Sequence, residues 1–382
     1  GVGSEQTTVF GGAASLDYTG GHSLLVFNGH NTGSNAVTSL GGNEVWVGSS
    51  SALHYVSGGQ SLFYASASSF DISGGQSSDM NTVVLSQVDT GTVTLNKTGV
   101  SGLQIFGGSN KLVFTGSDAT VVLNGKATGE ATITGTGSNT VWGGSGGLNY
   151  SGGGANLHLG SGAATVTGGA AGTVNLVSGG SGDITYTGVA ERATVTGGTG
   201  SDTISAGTGG GFFQAGSGGH SLLRATGGET ILQGTASGDT LMGASGGGTT
   251  LRAGAGNETL VGGNATGLAS FVLGSGAARV ELGAGGSAVT TGGGSSTVLG
   301  GAGQGSVLVA PGGGALDLVA GAGALQVSGF RAGTDHLDLG GRTVAGIGAL
   351  SGGAGSVISL SGGATITLTG VDTSVAHAIL LG

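Results

Sequence analysis

The chain contains no cysteine, one proline and few charged or aromatic side chains. Without cysteine it forms neither a disulfide framework nor a thiolate metal site, which suits a secreted protein. Its nine basic residues are scattered among nineteen acidic ones, and the net charge of −10 repels nucleic acid. No apolar run approaches the roughly 20 residues of a membrane-spanning helix. We therefore expect no nucleic-acid partner and no membrane insertion.

Glycine is in large excess, at 94 of 382 residues. An ordinary helical domain is excluded, because each interior glycine destabilises a helix by about 1 kcal/mol relative to alanine. Collagen is excluded because it needs glycine at every third position and abundant proline. Generic disorder fits poorly with 37% hydrophobic and 7% charged residues and a mean hydropathy of +0.29. The apolar residues must therefore pack into an ordered core.

Apolar residues recur at intervals of nine, and several have an apolar partner two positions later, which is typical of one face of a short strand. Glycine-rich clusters between them supply the turns. Two such units make a coil of 18 residues, so 382 residues predict about 21 coils. We expect an all-β fold, a right-handed parallel β-solenoid of nine-residue half-coils. The clearest run is Phe271, Val280, Val289, Val298, Val307, Leu316 and Leu325.

Side-chain size and glycine content predict three portions. Residues 1–110 carry larger, aromatic side chains and are expected to form an irregular solenoid portion, and residues 111–328 a regular glycine-rich solenoid. Residues 329–382 are expected to form a capping and secretion-signal segment. The chain opens at Gly1 without a methionine or a signal-peptide pattern, which leaves open a processed chain, a fragment, or export directed by the other end.

Residues 197–205, Gly-Gly-Thr-Gly-Ser-Asp-Thr-Ile-Ser, match the nonapeptide G-G-x-G-x-D-x-U-x. This unit resembles the repeats-in-toxin (RTX) family of calcium-binding β-rolls. The segments 327–330 and 333–339 look like the end of RTX arrays in type I-secreted bacterial proteins, and residues 363–372 and 378–381 look like their C-termini. The resemblance covers residues 197–382 and implies an extracellular or cell-surface protein exported by a type I system.

In that family the repeat aspartate and turn carbonyls bind calcium between stacked coils. When the aspartate position of the nonapeptide is followed through every second unit of the chain, it is occupied by Asp202, His220, Asp239 and Glu258, which would lie on one edge of the roll. Because calcium takes six to eight oxygen ligands, Asp239 and Glu258 with turn carbonyls form the credible site, which His220 separates from Asp202. The alternative is that these residues face solvent in a solenoid that no longer needs calcium.

Asp335 and Asp338 are further candidates, either as calcium ligands or as acids that cap a turn. Calcium, at few sites, is the one expected cofactor. From residue 269 to the terminal segment the aspartate position holds no acid, so folding there is expected to rest on hydrophobic stacking and backbone ladders.

No catalytic residues are expected. Residues 143–147 satisfy G-x-S-x-G, but such matches arise by chance in a Gly/Ser-rich chain, and no strand-to-helix elbow exposes the serine. The histidines have no metal-ligand spacing, and the acids do not cluster as in a glycosidase. Thr-x-Thr pairs such as Thr132–Thr134 and Thr165–Thr167 resemble those of some ice-binding proteins. Their irregular sequence spacing argues against a lattice match and favours ordinary outward-facing threonines.

These observations favour a secreted structural protein that self-assembles, end to end or laterally, into filaments or a surface or biofilm layer. The strand at residues 7–10 carries no charge or proline to block edge pairing. The alternative is an adhesin, or the stalk of a larger type I-secreted protein, with residual calcium binding and a cell-surface polysaccharide as partner. A calcium-dependent carbohydrate-active module is the third hypothesis, and it is weakened by the lack of an acidic cluster.

Overall fold

The computed structural model describes residues 6–27, 33–48, 51–123, 129–246, 248–263 and 267–381. The chain is an all-β parallel β-solenoid with about 17 turns of about 19 residues each. The expected fold class is confirmed. The expected coil length of about 18 residues is close to the observed one, but the estimate of about 21 coils was too high, because the parallel stack does not continue through residues 329–382. Individual turns also vary in length: Leu103 pairs with Ala119 in the next turn, whereas Phe70 pairs with Leu95.

Two compact units divide the chain, Gly1–Thr185 and Tyr186–Gly382, and the boundary falls within β20 (Ile184–Thr187). In each unit the odd-numbered strands form one sheet, called sheet A, and the even-numbered strands up to β36 form sheet B, whereas β38 belongs to sheet A. The strands of the first unit are β1 (Thr8–Phe10), β2 (Asp17–Gly20), β3 (Leu24–Phe27), β4 (Ser34–Ser39), β5 (Glu44–Val47), β6 (Ala52–Ser57), β7 (Leu62–Ala65), β8 (Ser69–Gly74), β9 (Met80–Leu85), β10 (Thr92–Lys97), β11 (Gly102–Phe106), β12 (Lys111–Gly116), β13 (Ala119–Val122), β14 (Ala131–Gly135), β15 (Asn139–Trp142), β16 (Leu148–Ser151), β17 (Ala155–His158), β18 (Ala164–Thr167) and β19 (Val174–Ser178).

The second unit continues the alternation and ends in a different arrangement. Its elements are β21 (Arg192–Thr196), β22 (Thr203–Ser205), β23 (Gly211–Gln214), β24 (Leu222–Arg224), β25 (Thr230–Gln233), β26 (Thr240–Met242), β27 (Thr249–Arg252), β28 (Glu258–Val261), β29 (Ala269–Val272), β30 (Ala278–Glu281), β31 (Ser287–Thr290), β32 (Ser296–Leu299), β33 (Gly305–Leu308), β34 (Leu316–Val319), β35 (Ala324–Ser328), β36 (His336–Asp338), β37 (Val344–Ala349), β38 (Gly355–Leu360), β39 (Thr365–Thr369) and α1 (Thr373–Leu381).

The strands form because apolar and polar residues alternate. In β6, Leu53 and Tyr55 point into the core, while Ala52 and His54 point outward. Within each unit, and up to β36, strands pair in parallel with the strand one turn later, at the roughly 4.8 Å spacing of a sheet. Inward side chains therefore stack on inward ones, and outward side chains form straight columns along each face.

The core of the first unit contains aromatic rings. Phe63 meets Tyr55 edge to face at 4.9 Å between ring centroids and stacks on Phe70 at 5.7 Å. All three are buried, and the Tyr55 hydroxyl pairs with Ser61 Oγ at 2.5 Å. The rings fill this interior and leave it closely packed.

The core of the second unit consists mostly of leucine and valine. Its buried rings include Phe271, Phe330, Tyr186 and Phe213. The last two lie 6.0 Å apart, and the Tyr186 hydroxyl donates a hydrogen bond to the buried carboxylate of Glu191. Turns here need glycine: Gly211 has φ of +139°, and a Cβ at this position would collide with the carbonyl oxygen of Ala193.

Parallel stacking stops within residues 329–382. Strand β39 pairs in parallel with β35, and β38 then pairs antiparallel with both β39 and β37. Helix α1 contacts β36, β37 and β38, and Asp372 caps it by accepting a hydrogen bond from the Val375 nitrogen at 2.9 Å. Among the described residues, no helix has the length and apolar character needed to cross a membrane.

Candidate functional site

Sheet B of the second unit carries a buried polar column, which we call the acidic column: Asp202, Ser221, Asp239 and Glu258. Strand register aligns these residues, because Thr203, Leu222, Thr240 and Thr259 pair in successive turns. The structure thus places the three predicted acids, Asp202, Asp239 and Glu258, in one column, with Ser221 between the first two. It corrects the fourth member: Ser221 occupies the column, and His220 lies one residue earlier, exposed and with φ of +60°.

Asp239 is fully buried, and both carboxylate oxygens accept backbone hydrogen bonds. Its Oδ1 accepts from the nitrogen of Ser221, one turn earlier, at 3.0 Å. Its Oδ2 accepts from the nitrogens of Thr235 and Ala236, both at 3.0 Å. The side chain therefore closes its own turn and ties it to the preceding one.

Glu258 is 2% exposed and less well satisfied. Its Oε1 accepts a hydrogen bond from the Gly254 nitrogen at 2.9 Å, whereas Oε2 has no hydrogen-bond partner among the described residues. Burial raises the pKa of this carboxyl group, and the nearby charge of Asp239 raises it further. The folded chain therefore keeps a proton on Glu258 to a higher pH than an exposed glutamate would.

Asp202 begins the acidic column in the repeat that matches the nonapeptide. Its Oδ2 accepts a hydrogen bond from the Gly216 nitrogen at 3.2 Å, and its backbone nitrogen donates to Ser221 Oγ at 3.2 Å. Like Asp239, this carboxylate accepts hydrogen bonds from the backbone of the neighbouring turn.

Asp335 and Asp338, predicted as ligands or capping acids, lie beyond the acidic column. The strand register places Asp335 in line with Glu258, after Ala278, Ser296 and Leu316. The side chain of Asp335 is buried and accepts hydrogen bonds from the Leu316 nitrogen at 3.0 Å and the Arg331 nitrogen at 2.7 Å. The Arg331 guanidinium bonds both carboxylate oxygens, at 2.7 and 3.1 Å. Burial opposes ionisation, but the Arg331 hydrogen bonds prevail and lower the pKa of Asp335. Asp338 is exposed and accepts from the Gly340 nitrogen at 2.9 Å.

The first unit has an amide version of this arrangement, which sequence reasoning missed. Buried asparagines on sheet A each accept a hydrogen bond through Oδ1 from the backbone nitrogen 20 residues earlier, at 3.0 to 3.1 Å. Their recurrence near the start of odd-numbered strands was the available signal. The pairs are Asn43 with Ser23, Asn81 with Ser61, Asn139 with Ala119, and Asn175 with Ala155.

Two of these acids already use their carboxylates for contacts within the protein. Backbone N–H groups point at the carboxylates of Asp239 and Asp335, and a guanidinium also occupies Asp335, where a cation would need free oxygens. In the described parts of the chain, no three His, Asp or Glu side chains gather closely enough to hold a metal ion. Calcium binding at Asp202, Asp239, Glu258, Asp335 or Asp338 stays a prediction.

A second feature is an exposed column on sheet A of the first unit, which we call the aromatic column. Its members occupy equivalent outward positions of β3, β5, β7, β9, β11, β13, β15 and β17, in unbroken register. They are Val26, Trp46, Tyr64, Val84, Phe106, Val122, Trp142 and His158.

Rings in the aromatic column stack on their neighbours and remain accessible. Trp46 and Tyr64 lie 4.7 Å apart, and Trp142 lies parallel to His158 at 4.0 Å. Trp46, Phe106 and Trp142 are 48%, 40% and 46% exposed. Beside Trp46 and Tyr64, the side chains border a groove of about 390 Å³ with apolar walls. This is an ordered apolar surface rather than scattered exposed residues.

The aromatic column lies on a nearly uncharged face. The neighbouring outward column, from Leu24 on β3 to Asn156 on β17, contains leucine, threonine, glutamine and asparagine, with Glu44 as its one charged residue. The indole nitrogen of Trp46 donates a hydrogen bond to Glu44 Oε1 at 2.8 Å. Apart from Glu44, this face can therefore approach another uncharged surface without desolvating a charge.

Comparison with known proteins finds no matching family model, no matching curated protein and no matching solved structure. A proposal for this chain therefore rests on its own residues.

Proposed function

We propose that this chain is a secreted extracellular structural protein that self-associates laterally into filaments or a surface or biofilm layer. The aromatic column supports this proposal most directly. Monomeric proteins rarely leave a contiguous apolar surface exposed, and such surfaces mark interaction sites. A side chain such as Trp142, 46% exposed, gains favourable free energy when a partner removes it from water.

A second copy of the chain is the occupant that fits this face. The net charge of −10 makes copies repel each other across most of their surfaces. On the two outward columns of this face, Glu44 is the one carboxylate, and Trp46 already binds it. Two such faces packed with a stagger along the column would bury ring against ring and leave part of each column free for a further copy, so the contact stays open and can extend into a filament.

Lateral association is favoured over end-to-end stacking in the second unit. End-to-end stacking by strand addition needs parallel strands that continue the ladder. In the C-terminal part of the second unit, the antiparallel strands β37 and β38 and helix α1 interrupt the parallel ladder. Export by a type I system is supported by the resemblance of residues 327–382 to the C-termini of such proteins.

The test replaces outward rings by lysine. Trp142→Lys and Phe106→Lys place charge on the aromatic column without touching the core, and Thr38→Lys, exposed and outward on β4 of sheet B, is the matched control. In sedimentation velocity, we expect wild type and Thr38→Lys to form large species as concentration rises, and both column variants to stay monomeric.

Two outcomes would overturn the proposal. Polymers of unchanged size in both column variants would place the interface elsewhere. A wild-type protein that stays monomeric at the highest attainable concentration would remove self-assembly, and the stalk of a larger exported protein would then be the better hypothesis.

A further inference from the structure

Sheet B of the first unit presents an ordered array of small polar side chains, which we call the hydroxyl grid. It consists of the two outward positions on each of five neighbouring strands, β10, β12, β14, β16 and β18, in unbroken register. The members are Thr94 and Asn96, Val113 and Thr115, Thr132 and Thr134, Asn149 and Ser151, and Thr165 and Thr167.

This register corrects the expectation drawn from sequence spacing. Thr132 and Thr165 are 33 residues apart, which looked too irregular for a lattice. In the structure Thr132 pairs with Asn149 and Asn149 with Thr165, so all three lie in one straight column. The variation is absorbed by the turns and leaves the strand register intact.

The grid repeats in two directions. Neighbouring strands are about 4.8 Å apart, and outward residues two positions apart along a strand are separated by roughly 6.6 Å. Threonine is stiff at χ1, so each hydroxyl and methyl group holds a fixed position on the sheet. None of the grid hydroxyls has a hydrogen-bond partner within the described parts of the chain, and they remain available to an external partner.

The chemistry of the grid selects the partner. No grid position is charged, so a polyanion or an ionic surface gains nothing there. No position is aromatic, which removes the stacking platform for sugar rings, and Val113 alone is aliphatic, which gives a protein partner no buried anchor. A flat, neutral and periodic array of hydroxyl and methyl groups matches a flat, neutral and periodic hydrogen-bonding surface.

We propose that the hydroxyl grid binds the surface of ice. The oxygen atoms of ice planes repeat at distances close to those of the grid, so ordered water can bridge hydroxyls of successive turns while the methyl groups lie between them. The grid is on sheet B and the aromatic column is on sheet A, so this binding does not depend on self-association.

The experiment measures thermal hysteresis and ice recrystallisation with the full chain. Thr134→Tyr inserts a bulky ring in the middle of the grid. Thr297→Tyr is the matched control, since Thr297 is outward on sheet B of the second unit, between Arg279 and Asp317. We expect wild type and Thr297→Tyr to lower the freezing point below the melting point, and Thr134→Tyr to lose most of this gap. Circular dichroism verifies that all three are folded.

The proposal is overturned if the wild-type protein shows neither hysteresis nor inhibition of recrystallisation. Equal losses in both tyrosine variants would also overturn it, because the activity would then not belong to the grid. Retention on crystalline cellulose or chitin that Thr134→Tyr abolishes, without any effect on ice, would assign the grid to a polysaccharide surface instead.

Discussion

Asp239 Oδ1 accepts a hydrogen bond from the backbone nitrogen of Ser221, one turn earlier, at 3.0 Å. Asn81 does the same for Ser61 in the first unit, at 3.1 Å. The two side chains differ at their second polar atom. Asp239 Oδ2 accepts two N–H groups, whereas Asn81 Nδ2 donates to serine hydroxyls. The choice between acid and amide therefore follows the donors and acceptors of each turn.

This difference predicts that Asp239→Asn destabilises the second unit, although the substitution is nearly isosteric. The new amide group would face the nitrogens of Thr235 and Ala236 and leave buried donors unpaired, at a cost of about 1–3 kcal/mol in the free energy of unfolding. Urea unfolding of Asp239→Asn measures this loss in the free energy of unfolding. Asp338→Asn is the control, because Asp338 is exposed and its retained oxygen can still accept from Gly340. Equal stability of the two variants would contradict the assignment.

The raised pKa of Glu258 predicts that the folded chain loses stability as pH rises. Burial, and then the charge of Asp239, raise the pKa of this carboxyl group in the folded chain above its ordinary value. The folded state therefore binds a proton that the unfolded state releases. The resulting stabilisation is complete below the ordinary pKa and is lost as pH rises through the folded pKa. Glu258→Gln should remove this dependence in melting temperatures measured across pH. An unchanged pH slope in Glu258→Gln would contradict the prediction.

The lowered pKa of Asp335 predicts the opposite pH dependence of stability. Burial alone would raise its pKa, but the hydrogen bonds from Arg331 lower it below the ordinary value. Its stabilisation is present above the ordinary pKa and is lost as pH falls through the folded pKa. Arg331→Met should therefore destabilise the chain near neutral pH, because a buried carboxylate would lose its cation, and much less in acid. A loss of stability that is independent of pH would point to packing by the arginine stem instead.

Core and surface rings are expected to differ in their effect on stability. Phe63→Ala removes a buried ring between Tyr55 and Phe70 and should destabilise the first unit by about 3–5 kcal/mol. Phe106→Ala removes a ring that is 40% exposed on the aromatic column and should have a much smaller effect. Chemical unfolding of both variants under dilute, monomeric conditions measures the contrast. Similar losses would mean that Phe106 contributes to the fold rather than to association.

The sequence was sufficient to predict the solenoid. Recurring apolar residues such as Val280 and Val298, which pair in successive turns, mark the positions that face the core. The sequence was insufficient for the surfaces, because those depend on strand register. A shift of one residue in a turn replaced His220 by Ser221 in the acidic column. The aromatic column was missed for the same reason: Trp46, Phe106 and Trp142 are far apart in sequence and are aligned only by pairing of successive turns.

Electron microscopy of the purified wild-type protein, in calcium and again in excess chelator, tests the central claim most directly. In the proposed assembly apolar faces hold the copies together, and backbone donors already bind the carboxylates of Asp202 and Asp239. We therefore expect filaments or sheets that form with concentration and survive chelation. Isolated particles in both conditions would contradict self-assembly. Ordered particles that disappear on chelation would show that calcium, rather than the aromatic column, holds the assembly together.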